Sequence, residues 1–373
     1  MKINIDSIDL FDPDIQENWF PAYKVLHDAT PIYRIPGSTT FVITKYEDLL
    51  TIVGDPLTFS NEREKYGGEL LIVHPEARQY YIDYGLGKQT GRTRWPLLGM
   101  DPPDHGKYRK LIDRHLMDRQ VLRRTQPLIE ETITELIDRF ETSGSIEFVK
   151  QFAIPLPVKI ITAMIGFPLE DIPQLKVWST TWTLPFARGL SLEQEMEVAR
   201  QGVAFQTYIR DIANERRKRP QDAVITHLVQ ANYDDKRPLT DHEIESIVDN
   251  MYIGGNETTT FTLTPGIWLM LKDPSIYEAL KKDRSKIPNF TNEVLRLESP
   301  TQGLYRTAAV NTEIRGVLIR KGSNIHVRFG AANQDAEVFA CPEKLDLNRK
   351  NCSRHLAFSR GEHGCPDGIE YCL

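Results

Sequence analysis

The residues best suited to chemistry lie close to the C-terminus, in Phe358-Ser-Arg-Gly361-Glu-His363-Gly-Cys365. A single Cys follows His363 and Gly364 in a short loop, behind the apolar His355-Leu-Ala-Phe358. A thiolate in such a loop can ligate an iron whose other face is open. Gly361 supplies the tight backbone path that close approach to a flat ligand requires. Zinc is the competing reading, because Cys352-x2-His355 followed by His363-x-Cys365 offers four ligands. That spacing is not one of the usual structural zinc patterns, and zinc leaves the upstream motifs unexplained.

Three further motifs carry possible chemistry. Gly254-Gly255-Asn256-Glu257-Thr258-Thr259 falls inside a long helical pattern, where each glycine costs roughly 1 kcal/mol relative to alanine. One compensation is a local widening that lets a small ligand approach the backbone, with the acid and the neighbouring alcohol relaying protons to it. The other is a close helix crossing that needs small residues. In Glu293-Val-Leu-Arg296 the i, i+3 side chains can pair, as they can on any surface helix. Asp101-Pro-Pro-Asp104-His105-Gly-Lys-Tyr-Arg109 marks a helix start, and His105 and Arg109 at i, i+4 present two donors suited to a carboxylate. A solvated basic helix would look the same.

The elements that must position these residues are mostly helical. Pro31-Ile-Tyr-Arg-Ile and Thr40-Phe-Val-Ile-Thr flank Pro36-Gly-Ser as a hairpin, followed by a short helix over 45–53. Residues 60–103 are Gly-, Pro- and aromatic-rich, which predicts a long surface excursion. Helical patterns dominate from Asp104 to about Lys286, with the longest, 241–271, opened by a Thr240-Asp-His-Glu243 capping box. A further helix is expected over 288–297, then short β pieces at 308–314, 317–319 and 324–327 before the Cys loop. The expected fold class is mainly α with a small β region. A single domain over 1–373 is expected, with a β-containing part at about 10–60, a helical body at about 104–299, and β pieces with the Cys loop at about 300–373.

Composition bounds the function. The 373 residues are 40% hydrophobic and 26% charged, with a net charge of −6 that gives no support for nucleic-acid binding. No stretch approaches a membrane span and the start lacks a signal-peptide core, so a cytoplasmic protein with no membrane anchor and reduced thiols is expected.

With all four motifs in order, and with the spacing of Thr258, Glu293 and Cys365, the sequence resembles the cytochrome P450 superfamily of haem-thiolate monooxygenases, from about residue 10 to 366. The resemblance implies the cytochrome P450 fold and haem b as cofactor. It implies insertion of one oxygen atom from O2 into a hydrophobic small molecule of terpenoid, steroid or fatty-acyl type. Cys365 would be the axial thiolate and metal ligand, and Glu257 and Thr258 would deliver protons near Gly254 and Gly255. His105, Arg109, Arg306, His355 and His363 would donate to the haem propionates. Glu293, Arg296 and Arg349 would form a buried structural network.

Electrons would come from a ferredoxin and its NAD(P)H-dependent reductase. The basic stripe Lys107, Lys110 and Arg114 would face the ferredoxin, although a solvated stripe has the same pattern. Leu97, Leu98, Met100, residues 178–190, Tyr252, Ile253 and residues 301–304 would line the substrate pocket, with no charged anchor among them.

Four departures stand out. Ser359 replaces the usual Gly, Asp367 stands where the family has Gly (with Gly368 one place late), and Pro265 interrupts the long helix. The family normally continues for some tens of residues past the Cys, whereas here Pro366 to Leu373 complete the sequence. The short tail leads to an expectation of weak haem binding. The alternative readings are a truncated or degenerate member without turnover, or a peroxide-dependent peroxygenase, which can dispense with the proton relay.

Overall fold

The computed structural model describes residues 8–10, 12–68, 71–85, 97–116, 119–187, 189–234 and 236–366. Asp367 and Gly368 therefore lie outside the described residues. The chain groups into two compact units, Met1–Glu69 with Phe261–Leu373, and Leu70–Thr260.

The first unit is built on a five-stranded sheet with strands in the order Ile32–Arg34, Thr40–Ile43, Asn324–Val327, Leu304–Ala308, Phe59–Ser60. Thr40–Ile43 and Asn324–Val327 run parallel, and the other pairs are antiparallel. The expected hairpin closes where Pro36-Gly-Ser placed it. The expected 308–314 piece is divided. Leu304–Ala308 joins the sheet, and Thr312–Ile314 pairs with Val317–Ile319 around Arg315 and Gly316, both left-handed at φ 49° and 79°. The helix Tyr46–Gly54 covers the sheet with Leu49 and Ile52, and Phe329, Phe339 and Leu356 complete the core.

The helix Ile287–Leu297 turns a polar face inward. Glu293 and Arg296 are both fully buried. Arg296 Nε donates to Glu293 Oε1 at 2.6 Å and Nη2 to Oε2 at 3.0 Å. Its other donors reach the carbonyls of Asn333, Pro342 and Lys344 at 3.1, 2.6 and 3.0 Å. Arg349 Nε lies 3.0 Å from Glu293 Oε1, an ion contact without hydrogen-bond alignment. Arg349 also donates to the carbonyls of Ala340, Cys341 and Lys344. The expected trio is thus one buried network.

The second unit is helical, apart from the short strand pair Asn232–Tyr233 and Arg237–Pro238. Ile161, Leu175, Phe205, Ile209, Ile247 and Tyr252 are among its core residues. The long helix Asp241–Lys272 starts with the expected capping box. Thr240 N donates to Glu243 Oε2 at 2.7 Å and Glu243 N to Thr240 Oγ1 at 3.2 Å. The 60–103 excursion contains the helices Arg63–Tyr66 and Pro75–Tyr84, and residues 86–96 lie outside the described part. Among the described residues no helix is long and apolar enough to cross a membrane.

The fit around Arg296 gives a direct test. Lysine keeps the charge but has three donors on a point head rather than five on a fork. Arg296→Lys should therefore cost about 3–5 kcal/mol in chemical denaturation, nearly as much as removing the charge. A loss below about 1 kcal/mol would show that charge alone, and not the fork, holds this network.

Candidate functional site

The Cys loop belongs to the first unit. Gly361 has φ 72°, and a Cβ there would come within 2.5 Å of the Val53 carbonyl oxygen, so only glycine fits. Ser359 adopts the same left-handed region at φ 58°, a conformation that costs a serine more than the glycine usual at that place. The loop closes through Cys365 N donating to the Phe358 carbonyl at 2.8 Å and Gly364 N to that of Gly361 at 2.9 Å. The Cys365 thiol is exposed, whereas Cys352 is buried and its Sγ lies 3.4 Å from Asn289 Oδ1. Burial pushes the Cys352 thiol up in pKa, away from the metal-binding thiolate.

Among the described residues no group of three His, Cys, Asp or Glu side chains is placed to hold a metal ion. An exposed thiol fits an iron that arrives in its own ring of ligands and takes one ligand from the protein. Arg306 in the same unit suits an anionic substituent of such a ring. It is 3% exposed, and Nη1 donates to the Tyr305 carbonyl at 2.9 Å.

His355 is different. Its Nε2 lies 3.2 Å from Asn292 Oδ1, and its Nδ1 accepts from Ala357 N at 3.3 Å. Both ring nitrogens are used, so the expected propionate donor has no N–H left for a ligand. His355 instead pins the loop to the Glu293 helix, alongside Asn333, whose Oδ1 accepts from Leu356 N at 2.6 Å.

The acid–alcohol pair belongs to the second unit. Glu257 is 8% exposed, and its Oε1 accepts from Lys176 Nζ and from Ser179 Oγ, both at 2.5 Å. Ser179 in turn accepts from Asn256 Nδ2 at 2.7 Å. Lys176 and Ser179 sit one turn apart on the helix Ile172–Thr183. The sequence reading missed both, because nothing local marks a lysine as the partner of an acid 81 residues on.

The two glycines divide the roles that the sequence left open. A Cβ on Gly255 would press within 3.0 Å of Ile161, so Gly255 serves a close helix crossing rather than the ligand contact expected of it. Gly254 has open space where its side chain would be, and its carbonyl accepts from Thr258 Oγ1 at 2.6 Å.

The remaining expected residues divide as follows. His105 is 2% exposed, and Arg109 Nε pairs with Asp113 at 2.7 Å, one turn along its own helix. Lys107 pairs with Asp104 at 3.1 Å, Lys110 is exposed, and the Arg114 side chain lies outside the described part. Tyr252 and Ile253 are core, whereas Leu97, Met100, Trp178 and Trp182 pack half-buried against that core and Leu98 is 47% exposed.

Comparison with known proteins gives the family that this chain resembles. A family model described as cytochrome P450 matches residues 174–366. Nocardicin C N-oxygenase of Nocardia uniformis subsp. tsuyamanensis is 31% identical over 351 residues, spanning 92% of this chain and 82% of that protein. P450BioI, solved in complex with hexadec-9Z-enoic acid ligated acyl carrier protein, superposes with a TM-score of 0.82 at 28% identity, over 95% of this chain and 87% of that one. CYP109E1 from Bacillus megaterium, solved with corticosterone, gives 0.78 at 27% identity, over 95% and 86%.

His355 generates a pH prediction. Burial first, then the Arg360 and Arg296 charges, push its pKa down to about 3. The unfolded chain takes up this proton near pH 6.5 and the folded chain does not. The contribution is therefore intact above about pH 6.5 and is lost at up to about 1.4 kcal/mol per unit as pH falls toward 3. His355→Gln removes that titration, so the slope of stability against pH should flatten between about 6.5 and 4 in denaturation series at stepped pH. An unchanged slope would show that His355 already titrates normally.

Proposed function

This chain belongs to the cytochrome P450 family, and from that premise we propose that it inserts one oxygen atom from O2 into a hydrophobic small molecule, with electrons from a ferredoxin and its NAD(P)H-dependent reductase. The activity of the family is monooxygenation, and its cofactor is haem b. When bound through a cysteine thiolate, that haem supplies the electron-rich iron at which the O–O bond is cleaved. The residues that would hold it are Cys365 by its exposed sulfur, with Arg306, His105, His363 and Arg109 toward its carboxylates.

One observation carries the proton side of this reading: the carboxylate of Glu257, next in sequence to Thr258, is held by Lys176 and Ser179. Lys176 and Ser179 orient that carboxylate, and Ser179 extends the hydrogen-bonded chain to Asn256. Thr258 gives its own proton to the Gly254 carbonyl, so its oxygen is left as an acceptor. It can steady an O–H group at the open face of Gly254 while a proton comes from the Glu257 side. The acid–alcohol pair supports O2 cleavage over a peroxide-driven reaction, which can dispense with a proton relay.

The substrate class rests on the half-buried Leu97 and Met100 and on the relatives. Two of those were solved with a steroid and with a fatty-acyl carrier protein. We read the enzyme as cytoplasmic, with the exposed Lys110 in the ferredoxin's footprint.

Two outcomes test this reading. In Thr258→Ala, electrons should still be consumed while product per NAD(P)H falls about tenfold and peroxide rises. Equal product yield would remove Thr258 from the relay. In Lys110→Glu with Arg114→Glu, electron delivery should slow at low salt and recover as ionic strength rises, with substrate affinity unchanged. A defect indifferent to salt, or none, would show that this stripe is simply solvated.

A further inference from the structure

The long helix carries further acids ahead of Glu257 that the proton relay does not use. His242, Glu245 and Asp249 share one face at i, i+3 and i+7. Glu245 is 1% exposed, and its Oε2 lies 3.5 Å from His242 Nδ1 and 3.3 Å from the Ser246 hydroxyl. Asp249, 6% exposed, has less support. Trp182 Nε1 donates to its Oδ2 at 3.2 Å, and Oδ1 has no hydrogen-bond partner among the described residues. Burial, the like-charged Glu245 and that indole act on its charge, and none of them is a cation.

Asp249 lines a cavity of ≈ 20 Å³ whose walls include Trp178, Trp182, Phe205 and Tyr81. That is the room of one water-sized group. Gly202 lets the Tyr81 ring close one wall, since a Cβ there would fall 2.1 Å from the Tyr81 hydroxyl, which donates to the Val198 carbonyl at 3.2 Å. Trp178 stacks on Phe205 with ring centroids 5.2 Å apart. Electron-rich ring faces around a half-satisfied buried carboxylate suit an organic cation.

We propose that this cavity binds a primary ammonium group, the head of a small aliphatic amine set against Asp249 Oδ1 between the indoles of Trp178 and Trp182. The cavity size selects a primary head over a quaternary one. Without a cation, burial raises both Asp249 and Glu245 and favours their protonated forms; an ammonium head stabilises the ionised carboxylate instead. Asp249 precedes Thr258 by about two and a half helical turns, so the two point to opposite sides of the helix. The amine is therefore an effector rather than the molecule oxidised at Thr258. Its site shares the Lys176–Ser179 helix, through Trp178 and Trp182, so occupancy braces the element that holds Glu257.

The test uses the full chain in its ferrous–carbonyl form, where an amine cannot reach the iron, with 15N-labelled tryptophan. Propylammonium, propan-1-ol and tetramethylammonium are titrated in parallel while the five indole N–H signals are followed, those of Trp178 and Trp182 being identified by Trp178→Phe and Trp182→Phe. Saturable shifts of these two signals are expected with propylammonium, at least about tenfold weaker with the alcohol and the larger cation, and lost in Asp249→Asn. Comparable binding of propan-1-ol would reduce the cavity to an apolar or water-holding recess, and comparable binding of tetramethylammonium would overturn the size argument. So would an amine preference that survives in a folded Asp249→Asn. The three-ligand comparison in the parent protein decides the matter even if the variant does not fold.

Discussion

The buried fork of Arg296 is the constraint on which the first unit depends. A guanidinium has five N–H donors and no way to shed its charge, so burying one is favourable only where every donor is met. Here Glu293 takes two and three carbonyls take the rest, and those carbonyls belong to residues 333–344. An irregular stretch with few backbone bonds of its own is thereby fixed from one helix face. Asp346 N also donates to Glu293 Oε2, at 2.9 Å, and Asn289 on the same face donates to the carbonyl of Leu347 at 3.1 Å. By the time the chain reaches Cys365, its path has been set by a polar stripe at Asn289, Asn292, Glu293 and Arg296. The loop is held through its backbone and through His355, and the Cys365 thiol stays exposed.

What was legible in the sequence follows from this. A helix carrying Glu-x-x-Arg, a capping box at Thr240 and a Pro-Gly-Ser hairpin are local patterns, and each formed where the pattern lay. The order of the motifs also identified the family, since it is their succession and not any one of them that is specific. Strand Leu304–Ala308 was hidden because four of its five residues are buried, which erases the alternation a half-exposed strand would show. His355 was read as a ligand donor because a histidine beside a metal loop invites it. Only tertiary structure shows Asn292 and the Ala357 amide already using both nitrogens. Gly254 and Gly255 are legible as a pair with two possible reasons; the fold gives Gly255 the close crossing against Ile161 and leaves open space at Gly254.

The acids of the long helix show what sequence pattern cannot supply. Glu243, Glu245, Asp249 and Glu257 are all buried carboxyls on one element, and their behaviour is set by partners from elsewhere. Burial opposes ionisation of Glu243, yet donors from Arg237, Tyr108 and Thr240 outweigh it and bring the pKa to about 2. Glu257 has the ammonium of Lys176 at 2.5 Å. Glu245 has only a histidine and neutral donors, and burial dominates, raising it. Asp249 has a single indole and a like-charged neighbour, and is raised further. Along one helix the same functional group therefore runs from firmly ionised to reluctant to ionise, according to whether a cation was placed against it. One helix thus holds Glu257 against the ammonium of Lys176 and, two turns earlier, buries Asp249 with no cation beside it among the described residues.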